Sequence, residues 1–190
     1  MNNLAVLTPT MPGRHLMLQK CINSIRNQTV RPYTHLIRIN YDGCNAMVNS
    51  MRLAKEALSD PNIQWLAMFC DDDFYYPNHI ESILSVTDNA DIIYTGYRTM
   101  SPDRPSVIVN QPHDPQILRN VTNYITNPVC HRRVLEQTGF WRTDILESDW
   151  EYYRKLLDAG YRFRHTGSVS FDYVHHGDNH HMKNLEFYRP

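Results

Sequence analysis

The stretch Trp65-Leu66-Ala67-Met68-Phe69-Cys70-Asp71-Asp72-Asp73 decides how this chain is interpreted. Its first five residues are apolar, and an unbroken apolar run of this length is typical of a buried strand. The three aspartates then emerge at the carboxyl end of that strand. Adjacent carboxylates repel one another and resist dehydration, so they need either solvent or a bound cation.

Oxygen ligands alone suit a hard divalent ion, which completes its coordination shell with water and substrate phosphates. The acidic triplet therefore indicates a metal-assisted site for a diphosphate compound. The alternative is a solvated acidic turn, because aspartate also favours turns and helix N-caps.

The composition indicates one ordinary globular domain. The chain has 190 residues, of which 42% are hydrophobic and 21% charged, and its net charge is −1. A charge this small gives no overall attraction to nucleic acid or to an anionic membrane. Four widely spaced cysteines without a CxxC pair predict reduced thiols rather than disulfides. No membrane span or signal peptide is recognisable, so we expect a cytoplasmic protein.

Strands and helices alternate in the first half of the sequence. Short apolar runs that end at turn residues predict strands, and apolar residues at helical spacing predict helices. The predicted elements are a strand over 4–7, a helix over 14–27, a strand over 36–39, a helix over 45–58 and a strand over 64–69. This alternation predicts an α/β fold with an at least partly parallel sheet.

The second half is less regular. We predict a helix after Pro77, strands over 91–94 and 106–109, a loop over 110–120, helices over 132–137 and 147–159, and strands over 161–164 and 168–173. A histidine-rich tail begins at His175. Because no linker or internal repeat interrupts the sequence, we expect residues 1–190 to form a single domain.

Polar side chains follow three of the predicted strands. Thr8, Thr10 and Arg14 follow the first strand, Asp42 follows the second, and the aspartates follow the third. Open α/β sheets bind ligands at the carboxyl ends of their strands. The hydroxyls and the guanidinium suit a nucleotide's phosphates, and Asp42 suits a base or a ribose. Each residue alone is common in turns, so the inference rests on their shared position.

Two further groups of side chains offer chemistry. Glu147 and Asp149 lie at the predicted start of a helix, where a carboxylate either caps the helix or deprotonates an acceptor hydroxyl. The tail contains four histidines within seven residues, namely His175, His176, His180 and His181. Neutral imidazole is a good metal ligand, and we expect one of the four, not all, to bind a metal. The alternative is a polar tail without a ligand.

The order of these motifs resembles glycosyltransferase family 2, whose members have the GT-A nucleotide-sugar-binding fold. The resemblance covers most of the chain. It rests on residues 4–10 followed by Arg14, Asn45-Ala46 and Asn49 opening a helix, Asp71-Asp72-Asp73 before Pro77, Val134-Leu135 with Gly139-Phe140, and Ser148-Asp149-Trp150 with residues 156–161. The short segment after Asp42 is similar to that of small, minimal members of the family.

The resemblance implies a Rossmann-like, mixed and mostly parallel central sheet flanked by helices. It also implies a nucleotide-sugar-binding half over 1–100 and an acceptor and catalytic half over 101–190. The implied activity is that of a metal-dependent, inverting glycosyltransferase that moves a sugar from a nucleotide-diphosphate donor to an acceptor hydroxyl.

The implied site residues follow from the same resemblance. Asp73 of the DXD motif and His175 would bind Mn²⁺ or Mg²⁺, with His176 or His180 as substitutes for His175. Asp149 would act as catalytic base, with Glu147 as the neighbouring acid. The donor, with UDP as the expected nucleotide, would be lined by Thr8, Thr10, Arg14, Asp42, Asp71 and Asp72.

Other functions remain open at the level of the sequence. One is a non-catalytic module that binds a nucleotide-sugar or a glycan, and another is a metal-dependent phosphoesterase or nuclease that uses the same acids. The acceptor of a transferase would be a glycan, a lipid-linked sugar, a protein, a small metabolite or a modified nucleic-acid base.

Overall fold

The strand that precedes the acidic triplet lies inside a sheet, and three of its four residues are buried. The computed structural model describes residues 3–44, 46–121, 124–144 and 148–176. The first half alternates strictly between strand and helix, as predicted. Its elements are β1 (Leu4–Thr10), α1 (His15–Arg26), β2 (Thr34–Ile39), α2 (Ala46–Leu58) and β3 (Trp65–Met68).

The second half contributes shorter elements and one long strand. They are β4 (Phe74–Tyr75), α3 (His79–Leu84), β5 (Ile92–Met100), β6 (Ile108–Val109), α4 (Pro115–Asn120), β7 (Val129–His131), α5 (Arg132–Thr138), α6 (Ser148–Asp158) and β8 (Phe163–Val174). Gly139 follows α5 with a φ of 73°, a backbone conformation that residues other than glycine rarely adopt.

All eight strands of the described residues belong to one sheet, in the order β2-β1-β3-β7-β5-β8-β4, with β6 paired to β5. The pairs β1·β2, β1·β3 and β5·β8 are parallel. Strands β7, β4 and β6 run against the other five. The predicted single-domain α/β fold with a mixed, mostly parallel sheet is confirmed.

Two apolar layers cover the two faces of this sheet. Along β1, Ala5 and Leu7 face the layer that contains α2, α5 and α6, whereas Leu4 and Val6 face the layer that contains α1 and α3. All four side chains are fully buried. Burying both faces explains why β1 and β3 are continuous apolar runs instead of alternating ones. The carboxyl ends of the parallel strands are thereby held at one edge.

Two predictions about individual elements were wrong, and two short strands were missed. The predicted loop over 110–120 contains helix α4, because the Asp114 side chain accepts from the backbone N–H of Gln116 and Ile117 and caps its first turn. The two strands predicted over 161–164 and 168–173 are one strand, β8, with a register shift against β5 between Tyr94 and Gly96. Strands β4 and β7 were not predicted, since each is at most three residues long.

The state of the cysteines agrees with the prediction. All four cysteines are free, as their spacing predicted. Among the described residues, no helix has both the length and the apolar character required to cross a membrane.

Candidate active site

The acidic triplet lies in a turn between β3 and β4 whose two ends are fixed by aromatic packing. Phe69 and Tyr75 stack with ring centroids 4.0 Å apart, and both side chains are buried. Asp71 and Asp73 are only 2% and 3% exposed. Carboxylates as buried as these require strong partners, because an unpaired buried charge is costly.

The end of β1 provides partners for two of the acids. The Thr10 hydroxyl donates to Asp71 Oδ2 at 2.5 Å. The Arg14 guanidinium lies 2.9 Å from Asp71 Oδ1 and 2.6 Å from Asp72 Oδ2. The parallel pairing of β1 with β3 brings these strand ends together. The structure therefore places Thr10, Arg14, Asp71 and Asp72 at one site, as the strand-end rule predicted.

Asp73 is held from the other side of the turn. Its Oδ1 accepts from the backbone N–H of Val174 at 3.0 Å, and its Oδ2 accepts from the Asn127 amide at 2.6 Å. Asp73 thus connects the turn after β3 to the end of β8 and to the segment before β7. The orientation of its carboxylate is fixed by both bonds.

Asn127 is a site residue that the sequence analysis missed. Its amide also donates to the Tyr75 hydroxyl at 3.0 Å, and its Oδ1 accepts from the Cys70 thiol at 3.2 Å. Its φ of 47° lies in the left-handed region, where asparagine is one of the few tolerated side chains. The dipeptide Asn127-Pro128 is a turn signal that marks the position, although it does not reveal what the amide contacts.

Negative charge is concentrated within this cluster. Burial raises the pKa of Asp71, and burial together with the charge of Asp72 raises the pKa of Asp73 well above its usual range. Burial acts to lower the pKa of Arg14, but the charges of Asp72 and Asp71 outweigh it and raise that pKa. Two of the three carboxylates, those of Asp71 and Asp72, thus lie against the guanidinium of Arg14. Such an arrangement favours the arrival of further positive charge.

The donor set fits a hard divalent cation. The Sγ of Cys70 and one carboxylate oxygen each of Asp72 and Asp73 lie within 4.8 Å of one another. Burial raises the pKa of Cys70 well above its usual value, so its thiol stays protonated and donates to Asn127. The two carboxylates are therefore the ligands that fit Mg²⁺ or Mn²⁺, and water and phosphate oxygens would complete the shell.

The tail reaches the acids through His176. Its Nε2 lies 2.9 Å from Asp72 Oδ2 and 3.0 Å from Arg14 Nη2. The ring of His175 packs edge-on against that of Tyr173, and its backbone N–H donates to Met100 O at 2.7 Å. His180 and His181 lie outside the described residues. The assignment of His175 as a metal ligand stays a prediction, and the geometry favours His176 as its substitute.

Two predicted donor residues have their contacts away from the acids. The Thr8 hydroxyl is fully buried and lies 2.9 Å from His35 Nε2. Thr8 precedes Thr10 by two residues and lies on the same face of β1. Asp42 is exposed and paired with Arg52, which lowers the pKa of Asp42 to about 2. The structure thus places these two side chains beside the site and not within the acidic turn.

The predicted base lies at the start of α6. Asp149 is partly buried, and its Oδ1 accepts from the backbone N–H of Trp150 at 2.9 Å. Burial, with a smaller effect of the charge of Asp149, raises the pKa of Tyr153 well above its usual value. Glu147, the other acid predicted at this helix start, lies outside the described residues.

Four buried polar atoms have no hydrogen-bond partner among the described residues. One is Nε2 of His79, inside the aromatic packing, and the other three are Nε of Arg14, Oγ1 of Thr126 and Oδ1 of Asn49. Thr126 precedes Asn127, and the Asn49 amide donates to the carbonyls of Arg38 and Thr10 at the ends of β2 and β1. Buried polar groups are usually paired, so unpaired ones at a strand-end site indicate a polar ligand.

Comparison with known proteins supports the fold and leaves the sequence without a match. No family model matches the chain, and no curated protein matches its sequence. Residues covering 95% of the chain superpose on 60% of TarS 1-349 of S. aureus in complex with UDP-GlcNAc, with a TM-score of 0.72 and 10% identity. The fold is the GT-A fold. The predicted fold class is confirmed.

Two other glycosyltransferases share the GT-A sheet. The mannosyltransferase PcManGT of Pyrobaculum calidifontis, in complex with GDP-Man and Mn²⁺, matches 97% of the chain over 60% of its own length, with a TM-score of 0.66 and 10% identity. The catalytic domain of Drosophila beta1,4galactosyltransferase 7, in complex with xylobiose, matches 93% of the chain over 72% of its own, with a TM-score of 0.63 and 12% identity.

The chain is shorter than these structures and distant from them in sequence. It spans about 60% of the length of TarS 1-349 and of PcManGT. At identities of 10 to 12%, the likeness establishes the GT-A fold and not the activity.

Proposed function

We propose that this chain is a metal-dependent glycosyltransferase, similar to family 2, that transfers a sugar from a nucleotide-diphosphate donor to an acceptor hydroxyl. The observation that carries the proposal is the acidic turn at the carboxyl edge of a GT-A sheet, with Asp71 and Asp72 paired to Arg14. A phosphate-binding guanidinium beside carboxylates suited to a divalent cation is the arrangement that a nucleoside diphosphate requires.

The donor would lie along the ends of β1, β2 and β3. Arg14 would exchange part of its pairing with the acids for the diphosphate oxygens, to which a guanidinium binds with two parallel hydrogen bonds. The nucleoside and diphosphate would be lined by Thr10, Asp42, Asp71 and Asp72. Thr8, two residues before Thr10 on β1, would lie next to this lining. We propose UDP as the nucleotide, as in the complexes of TarS with UDP-GlcNAc and with UDP. GDP is the alternative, because PcManGT is in complex with GDP-Man.

Asp73 and Asp72 would hold the cation, together with one tail histidine, His175 or His176. A bound divalent cation would offset the negative charge that develops on the departing nucleoside diphosphate. Asn127 and the Val174 N–H fix the Asp73 carboxylate before any ligand arrives. A ligand that is already oriented needs no reorganisation during the reaction.

Asp149 would take the proton from the acceptor hydroxyl. The base lies on a helix, and Trp150 next to it is anchored by a hydrogen bond from its indole N–H to Leu118 O at 2.7 Å. A hydroxyl deprotonated on the side opposite the leaving group attacks in line and inverts the anomeric configuration. Residues 1–100 would then serve the donor, and residues 101–190 would serve the acceptor and the base.

Thermal unfolding with nucleotides tests this proposal. UDP, GDP and dTDP are each added with and without Mn²⁺, to the wild-type chain and to Asp73→Asn. A ligand at 100 times its Kd stabilises by about 2.7 kcal/mol, which raises the Tm of a chain of this size by about 5 to 10 °C. We expect UDP to raise the Tm only when Mn²⁺ is present, and Asp73→Asn to lose most of that shift.

Other outcomes would identify the competing functions. A metal-dependent UDP response without any turnover of UDP-sugars would indicate a binding module. Hydrolysis of a phosphodiester with no response to any diphosphate would indicate a phosphoesterase and contradict the proposal.

A further inference from the structure

A cavity lies away from the acidic turn, beside the irregular part of β8. Its volume is about 420 Å³, within the range of sites that hold small molecules. It is lined by Asn110, Pro112, His113, Phe163, Arg164, His165 and Gly167. None of these residues belongs to the proposed donor site, and none is acidic.

One wall of the cavity is a fixed imidazole. The ring of His113 stacks on Phe163 with centroids 5.3 Å apart and an angle of 10° between the planes. Its Nδ1 lies 3.1 Å from the Tyr94 hydroxyl. A ring held by both stacking and a hydrogen bond offers a flat surface whose orientation does not change when a ligand binds.

Another part of the lining belongs to the bulge in β8. The Gly167 N–H donates to Nδ1 of His165 at 3.0 Å, so a neutral His165 ring carries its proton on Nε2. The Asn110 amide donates to Gly167 O at 3.4 Å. Asn110 also lies over Gly96, where a Cβ would approach its Oδ1 to 2.5 Å. The side chains of His165 and Asn110 are therefore held in place by their contacts with Gly167 and Gly96.

Both imidazoles are uncharged donors and acceptors near neutral pH. Burial lowers the pKa of His113, against a small opposing effect of Asp114. Burial and the neighbouring His113 lower the pKa of His165. Arg164, the charged residue of this lining, alternates along β8 with Phe163 and His165 and is exposed.

The lining chemistry of the cavity suits a carbohydrate. It combines uncharged hydrogen-bonding groups, on His113, His165 and Asn110, with the apolar surfaces of Phe163 and Pro112. Such a lining complements a ligand that alternates hydroxyls with C–H faces. A pyranose sugar has this chemistry.

The position of the cavity links it to the proposed base. His113 immediately precedes Asp114, the N-cap of α4, and Leu118 of α4 accepts the indole N–H of Trp150, which follows Asp149. Helix α4 thus connects a lining residue of the cavity, at its start, to the residue beside the proposed base.

We propose that this cavity is an acceptor subsite that binds a neutral sugar unit of a glycan, a few units away from the hydroxyl that is glycosylated. The proposal rests on the proposed transferase function and specifies its acceptor as a saccharide chain.

Saturation-transfer NMR on the full chain tests the subsite. The probes are lactose, cellobiose and xylobiose, and the variants are His165→Ala, Asn110→Ala, His165→Gln and Gln116→Ala. We expect at least one disaccharide to bind and both alanine variants in the cavity to weaken it about 3- to 10-fold, the effect of one lost hydrogen bond. His165→Gln keeps an N–H donor and should retain most of the binding, and Gln116→Ala, at an exposed position of α4, should retain all of it.

Circular dichroism and the UDP response with Mn²⁺ accompany each variant, so that a misfolded variant is recognised. The subsite would be overturned if no disaccharide bound, or if His165→Ala and Asn110→Ala left the binding unchanged. An intact UDP response in the same experiment would still support the proposed transferase function. Disaccharide binding in a chain that shows no UDP response would overturn the acceptor role, because the donor function on which it rests would have failed.

Discussion

Substitution of Asn127 by alanine tests how the acidic turn is held together. Asn127 donates to Asp73 at 2.6 Å and to the Tyr75 hydroxyl at 3.0 Å, and it accepts from the Cys70 thiol. A hydrogen bond to a charged group contributes about 1.5 to 3 kcal/mol, and a neutral one contributes about 1 kcal/mol. Alanine at φ 47° adds a backbone cost of about 1 kcal/mol.

We therefore expect Asn127→Ala to lower the free energy of unfolding by about 3.5 to 5 kcal/mol. Asn127→Gly removes the same contacts but tolerates the left-handed backbone, so it should be less destabilising by about 1 kcal/mol. Urea unfolding at constant pH measures both values, provided that the slope of free energy against urea is unchanged.

The same substitution separates positioning from general stability. A disordered Asp73 carboxylate should weaken the Mn²⁺-dependent binding of UDP, whereas a loss of stability elsewhere in the chain should not. Isothermal titration of UDP in the presence of Mn²⁺ gives the affinity for Asn127→Ala and for a destabilised control in the core, Leu53→Ala, whose side chain on α2 is fully buried. Unchanged stability and an unchanged affinity in Asn127→Ala would show that Asn127 does not hold the turn.

Two other perturbations follow from the structure. Asp149→Asn should leave UDP binding intact and slow sugar transfer about 10²- to 10⁴-fold, as expected for a missing base; transfer at the wild-type rate would remove Asp149 from this role. His79 is buried among aromatic rings, and burial lowers its pKa to about 3 from 6.5. The unfolded chain therefore binds a proton that the folded chain does not, so stability falls as the pH drops from about 6.5 towards 3, by about 2 kcal/mol at pH 5. In His79→Gln this acid-induced loss should be smaller, measured by urea unfolding from pH 7 to 4.5, and parallel curves for the two proteins would contradict the assignment.

Sequence reasoning predicted the elements that depend on local pattern. The apolar runs of β1 and β3 and the helical spacing of α1, α2 and α6 are readable because burial of whole faces determines them. Helix α4 was missed although Asp114-Pro115 is an N-cap followed by proline at the first helical position, a signal that the surrounding turn residues outweighed.

Other features depend on contacts between distant segments, which no local pattern contains. β7 is three residues long and is a strand because β3 and β5 pair with it on either side. The strand-end rule placed Thr10 and Arg14 beside the acids. It did not predict Asn127, which reaches Asp73 from 54 residues away through a left-handed backbone. Nor did it predict the contact of His176 with Asp72, since the path of the chain at the end of β8 determines it.

A crystal structure of the chain with UDP and Mn²⁺ would locate the cation and the diphosphate together. Anomalous scattering from the manganese locates the ion independently of the protein. We predict one ion within about 2.0 to 2.6 Å of an Asp73 carboxylate oxygen and of a diphosphate oxygen, with Arg14 on the phosphates. An ion bound elsewhere, or a diphosphate that lies away from Asp73, would contradict the proposed role of the acidic turn.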